Sequence, residues 1–231
     1  GLDDTFVPMG FRDKEGKLTG FDIDLARAVF REYDIKVVFQ PIDWSMKEFE
    51  LNNGTIDLIW NGYTKTAERA KKVQFSKPYM QNEQVLITTK KSGITSFAQM
   101  KNKILGAQNG SSGYDAFIKQ PKILKDIVKN QDAVLYDSFN EALIDLKSGR
   151  IDGLLMDKVY AGYYLKQKNE LDQFNMIKGD YQSEDFVVGA RKKDKELVKK
   201  INEGIAELEK TGEFQQISDK WFGEDVTPVQ K

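Results

Sequence analysis

Apolar residues recur along this chain in two rhythms, and the changes between them mark its elements. After Gly20 the run FDIDLARAVFREY places Ile23, Leu25, Ala26, Val29 and Phe30 on one helical face. Asp43, Trp44 and Ser45 open a second helix that ends near Leu51, with Asn52, Asn53 and Gly54 as its stop. Strand signals fall at the chain start, before an irregular segment with Pro8, and again at 36–39. The stretch TIDLIWNGYTKTAER then reads as a buried strand over 56–60 that turns polar with helix-starting chemistry. Asn61, Gly62, Tyr63 and Thr64 are therefore expected at the carboxyl end of a strand, where open α/β sheets bind ligands.

The second half begins again with a strand over 84–89 and a helix near 96–100. A strand at 104–107 follows, then a helix opening at GSSGYDAF, a strand at 132–135 and a helix over 138–147. LKSGRIDGLLMD then echoes LNNGTIDLIWNG: helix end, glycine, one residue, Ile-Asp, strand. A strand at 186–190, a long amphipathic helix over 195–210 and a closing helix over 214–222 carrying Trp221 complete the chain. Alternating strands and helices predict a doubly wound α/β fold, and the echo predicts two lobes of similar construction rather than a tandem array.

A length of 231 residues suits one large domain or two small ones. Lys and Arg number 35 against 36 Asp and Glu, interspersed, so no net field points to a nucleic-acid partner. No apolar run approaches the roughly 20 residues of a membrane helix. The opening GLDDTFVP carries no signal-peptide pattern and reads as cut within a first strand. The chain has no Cys and no His, which removes His-based triads, His-ligated metals, zinc ribbons, haem and redox dithiols. No metal site and no cofactor are expected, and carboxylate chemistry is what survives. Absence of cysteine suits an exported protein and a cytosolic one alike.

Gly62, the Thr64 hydroxyl and the Arg69 guanidinium together form a set able to hold a carboxylate. Taken singly, Arg69 in TAERAKK also reads as a solvated helix charge, and Thr64 and Thr66 as helix caps. In GAQNGSSGYDAF, Gly110, Ser111 and Ser112 lie where a strand hands over to a helix, and free N–H groups there favour an anion. The segment lacks the glycine spacing of dinucleotide sites and the lysine of phosphate loops, and a plain turn is its other reading. Asp157 ends a strand in position to meet an ammonium group or to cap the helix over 158–166. Asp3 and Asp4 lie near a strand end and precede Phe6, and Trp44 in a polar turn is a candidate exposed aromatic able to cover a flat or cationic side chain. For Phe6 and Trp44 taken separately, ordinary core packing is the leading reading.

Several stretches, DDTFVPMGF, GFDIDLARAV, NGTIDLIWNGYTKTAERAKKVQFSKPYM, GAQNGSSG, GRIDGLLMD and the terminal KWFG, together resemble one family along the whole chain: the solute-binding proteins of polar amino-acid ABC transporters, the type II periplasmic binding proteins. The resemblance implies two α/β lobes joined by two hinge strands, with a ligand cleft between them that closes on the ligand. Lobe one would take 1–82 and 185–231, and lobe two 83–184. The ligand carboxylate would fall to Arg69, the Thr64 hydroxyl and backbone at Ser112; the ammonium to the region of Gly62 and Thr64 and to Asp157. Aromatic positions flanking the side chain fall on Phe6 and Trp44, and an acid for its polar tip on Asp3. Asn61, Tyr63 and Met156 depart from common members, as does Gln108, which stands where some glutamine receptors carry lysine.

The resemblance implies an extracytoplasmic receptor, periplasmic or lipid-anchored on the outer face of the cell membrane, for a free polar L-amino acid. Its partner would be the membrane permease of an ABC importer, and the receptor itself would be a monomer. Asp3, with Asp4, Phe6 and Trp44, points to arginine or lysine, with glutamine the next choice. A zwitterion leaving water needs a fixed cation and a fixed anion, and Arg69 and Asp157 supply one each. The chain is expected not to be an enzyme; a dehydratase on the same fold and the ligand-sensing domain of a signalling receptor are the competing readings.

Overall fold

Helices form where apolar spacing gives them a face to bury. The computed structural model describes residues 1–228 and divides into two compact units, one built from Gly1–Gln81 and the chain from Glu184 onward, the other from Asn82–Ser183. In the first unit, β1 (Thr5–Phe6), β2 (Gly10–Arg12) and β3 (Leu18–Thr19) form a small antiparallel meander. Helix α1 (Phe21–Arg31) follows, burying Phe21, Ile23, Leu25, Ala26, Val29 and Phe30, and also Asp22. A 3-10 turn at Trp44–Met46, capped by Asp43, runs into α2 (Lys47–Asn53). Then come β4 (Leu58–Thr64), the short helix α3 (Ala67–Lys72), β5 (Val73–Phe75), and β6 (Met80–Asn82), which carries the chain out of the unit.

The second unit is built on a five-stranded mixed sheet. Its elements are β7 (Gln84–Thr89), β8 (Leu105–Gln108), α4 (Ser112–Lys119), β9 (Ala133–Tyr136), α5 (Phe139–Ser148), β10 (Gly153–Asp157), α6 (Lys158–Gln167) and β11 (Phe174–Lys178). The strand order is β11-β7-β10-β8-β9, with β8 parallel to β9 and β10 and with β7 antiparallel to β10 and β11. Parallel strands joined by helices bring their carboxyl ends to one edge, so Gln108 and Asp157 end their strands on the same side. Leu86, Met100, Leu105, Phe117, Leu124 and Leu155 fill the core beneath.

On returning to the first unit the chain forms β12 (Glu184–Arg191), α7 (Lys195–Thr211) and α8 (Glu213–Phe222). Strand β12 lies between β4 and β5, antiparallel to both. Trp44, Leu51, Ile56, Ile59, Tyr63, Val73 and Val187 make the core on this sheet.

The two echoing segments share their start and then diverge. Gly54 and Gly149 both take left-handed backbone after their helices, φ 88° and 77°. Asp57, however, accepts from Arg191 Nη2 at 2.8 Å, whereas Asp152 accepts from the Ile104 N–H at 2.8 Å. Three expected elements also differ. Segment 36–39 is not a strand: Val38 is 76% exposed, and the local pairing is a single parallel bridge from Leu2 to Pro41. The helix expected near 96–100 is a 3-10 turn, Phe97–Met100. The strand expected over 56–60 continues through Thr64, because β12 keeps pairing with it at Tyr63 and Thr64.

Candidate functional site

The site candidates of the first unit gather around β4. Extension of that strand puts Asn61, Gly62 and Thr64 inside the sheet and not on a turn beyond it. Asn61 is buried, and its Oδ1 accepts from the Asp3 N–H at 3.0 Å. Asp3 itself accepts at Oδ1 from the Thr5 N–H and hydroxyl, at 2.9 and 2.7 Å, while Asp4 pairs with Arg12 Nε at 2.6 Å. Gly62 has φ +55°, and a Cβ there would stand 2.7 Å from Phe6 Cε1, so the bare backbone lets the buried Phe6 ring close on the strand. The Thr64 hydroxyl donates to Glu184 Oε2 at 3.1 Å.

Arg69 is not the solvated helix charge that its local sequence allows. It is 5% exposed; its Nη1 donates to the Thr64 carbonyl at 2.8 Å, its Nε stands 3.5 Å from Glu48 Oε1, and its guanidinium carbon lies 4.6 Å from the Tyr63 ring centroid. Thr66, one of the two expected caps, does cap α3, accepting from the Arg69 N–H at 3.1 Å. Trp44 packs in the core, the leading reading of that residue taken by itself, and does not stand exposed in its polar turn. The ring is 8% exposed, meets Tyr63 edge-on at 6.1 Å between centroids, and carries Lys47 Nζ at 4.8 Å. A wide apolar ring next to a sheet core gains more from burial than from standing in water.

In the second unit the candidates meet through Gln84, the register partner of Asp157. Gln84 Nε2 donates to Asp157 Oδ1 at 2.8 Å and approaches Ser112 Oγ at 3.4 Å, and Asn82 Nδ2 donates to the same Asp157 oxygen. Asp157 is buried at the N-cap position of α6 and makes no side-chain cap bond there, so two side-chain amides aim its carboxylate. Ser111 caps α4 by accepting from the Tyr114 N–H at 3.1 Å. Gln108 is turned to the Asp137 carbonyl, to which its Nε2 donates at 2.9 Å. A Cβ at Gly113 would fall 2.4 Å from Gln84 Oε1, so the glycine makes room for that amide.

Five residues of these networks escaped the sequence reading: Asp22, Glu48, Asn82, Gln84 and Glu184. Asp22 had a legible signal, since it shares the apolar face of α1 with Ala26 and Val29. Its Oδ2 accepts from the Gly62 N–H at 2.7 Å, and the Trp60 and Tyr79 side chains interact with the same carboxyl. Burial pushes the Asp22 carboxyl up to about 7, opposed by the Gly62 N–H, Tyr79 and Trp60. The other four owe their roles to long-range placement, which no local pattern announces.

The first unit thus holds a buried guanidinium at Arg69 and the second a buried carboxyl at Asp157, and the whole chain is similar to known solute-binding proteins. Residues 1–224 match the bacterial extracellular solute-binding proteins, family 3, and the chain belongs to that family. It is 32% identical to the L-cystine-binding protein TcyJ of Escherichia coli K12, over 98% of this chain and 83% of that protein. It is 31% identical to ABC transporter arginine-binding protein 1 of the same organism, over 96% and 89%. A crystal structure of an ABC uptake transporter substrate binding protein from Streptococcus pneumoniae with bound histidine is 59% identical, with a TM-score of 0.98, covering 99% of this chain and 93% of that one. The mixed α/β fold and the family expected from the sequence are thus those of the protein. Its relatives here are amino-acid-binding proteins and not enzymes. Among the described residues no helix is long and apolar enough to cross a membrane.

Proposed function

We propose that this chain is the receptor of an ABC importer for a basic L-amino acid, histidine standing with the arginine and lysine expected from the sequence. The observation that carries the reading is the pair of buried, oriented charges: Arg69 fixed on Tyr63 in the first unit, and Asp157 fixed by Asn82 and Gln84 in the second. Arg69 and Thr64 take the ligand carboxylate with backbone at Ser112, beside Ser111 and Gln108. Asp157 takes the ammonium with the strand at Gly62, and Phe6, Asn61 and Asp3 border the side chain. The charges of a zwitterion are matched in this way by fixed groups and not by water. Hinge closure of the two lobes on the ligand, the permease as partner, a monomeric state and a lipid anchor belong to the same proposal. Histidine in the relative from S. pneumoniae and arginine in one from E. coli support a cationic or imidazole side chain.

A ligand that binds only the folded state raises its melting temperature by mass action. A thermal-shift screen of the twenty L-amino acids and L-cystine is expected to give its largest shifts with histidine, arginine or lysine. No shift with any of them, or turnover of prephenate or arogenate, overturns the receptor reading.

A further inference from the structure

Around Arg69 the first unit builds a ladder from two short segments, 44–48 and 63–69. Lys47 Nζ stands 4.8 Å over the Trp44 ring, Trp44 meets Tyr63 edge-on, and Tyr63 lies 4.6 Å beneath the Arg69 guanidinium. Glu48 ties the rungs together. Its Oε1 accepts from the Tyr63 hydroxyl at 2.9 Å and stands 3.5 Å from Arg69 Nε, while its Oε2 stands 3.4 Å from Lys47 Nζ. Lys47 is 2% exposed and donates to the Trp44 carbonyl at 3.1 Å, so both ends of the ladder are held.

We propose that Tyr63 and Glu48 are positioning residues for Arg69, setting the plane and the Nε edge of the guanidinium that receives the ligand carboxylate. The proposal rests on the receptor reading above. A flexible arginine has several rotors to freeze, and bidentate recognition of a carboxylate is planar, so the orientation of the fork governs how well it binds. Tyr63 supplies a ring face that fixes the plane, and Glu48 fixes the edge. The Tyr63 hydroxyl in turn holds Glu48, so removal of one oxygen atom from the ring loosens the edge constraint while the ring face stays in place. This also accounts for the tyrosine at 63, where the chain departs from common members of the family it resembles: an aromatic with a polar tip both stacks on the guanidinium and reaches the carboxylate.

Two measurements test it. Nitrogen-15 NMR of the ligand-free full chain resolves the Arg69 Nε–H, assigned by its loss in Arg69→Lys. Tyr63→Phe and Glu48→Gln are each expected to shift it and to speed its exchange with water. Calorimetry with L-histidine, L-arginine and L-lysine is expected to show affinity lowered roughly 5- to 20-fold in Tyr63→Phe, the loss of one hydrogen bond around a charged group. An unmoved Nε–H signal, or an unchanged affinity, in Tyr63→Phe overturns the positioning role even if Arg69→Ala abolishes binding. Conversely, normal binding by Arg69→Ala, or no binding of all three probes to the unaltered protein, overturns the receptor reading on which the proposal rests, whatever the NMR shows. Equal melting temperatures of Tyr63→Phe and the unaltered protein separate a positioning effect from general loss of packing.

Discussion

Asp22 on α1 accepts the backbone N–H of Gly62 on β4 at 2.7 Å, with both residues buried. The contact ties the helix after the meander to the strand that carries Thr64 and leads to Arg69, and it does so with an ionisable group.

The first prediction concerns pH. Asp22 is raised from 3.8 to about 7 in the folded protein, so the folded state holds the proton more tightly than the unfolded chain. Its contribution to stability is therefore fully present below about pH 4 and is lost as pH rises toward 7. Asp22→Asn removes this dependence and keeps an oxygen for the Gly62 N–H. Urea unfolding of both proteins from pH 4 to 8 is expected to show the variant gaining on the unaltered protein as pH rises, by up to about 1.4 kcal/mol per pH unit below pH 7. A difference that stays constant with pH refutes the assignment.

Arg69→Ala is expected to weaken binding of the amino acid by roughly 3–5 kcal/mol, since the ligand carboxylate is left desolvated without its partner. Calorimetry with L-histidine and L-arginine measures this directly, and near-normal affinity removes Arg69 from the site.

Asp157→Asn keeps an oxygen for the Asn82 and Gln84 amides and removes the charge. Because Asp157 makes no cap bond to α6, the melting temperature is expected to change little. Affinity for the amino acid falls while that for the analogue bearing hydroxyl in place of ammonium does not, so discrimination between the two collapses. Retained discrimination in Asp157→Asn shows that the ammonium is recognised elsewhere.

Gly113→Ala sets two effects against each other. Alanine is the better helix former by about 1 kcal/mol. Its Cβ, however, would fall 2.4 Å from Gln84 Oε1, on a side chain 2% exposed and bonded to Asp157. Overpacking of this kind costs about 1–3 kcal/mol, so a net loss of stability is expected. In a Gln84→Ala background the sign reverses and Gly113→Ala stabilises. Thermal unfolding of the four proteins decides, and stabilisation in both backgrounds shows that the Gln84 amide is not held where Gly113 leaves room.

The sequence by itself determined what depends on near neighbours. Helical spacing after Gly20 and glycine stops at Gly54 and Gly149 are local matters, and the corresponding helices formed with their expected ends. The resemblance carried by the long motif through Arg69 also named the family. Tertiary structure decided what depends on distant partners. Strand β4 runs on to Thr64 because β12, more than a hundred residues away, supplies hydrogen bonds along it, whereas 36–39 has no such neighbour among the described residues. Trp44 in its polar turn reads as either a core residue or an exposed face, and Tyr63 and Lys47 packed against it decide for the core. Glu48 and Gln84 carry no motif, and each gains its place from a strand or helix folded back onto it. Backbone preferences are settled over a turn or two, but burial and the aim of a charge are settled by whatever the whole chain packs against it.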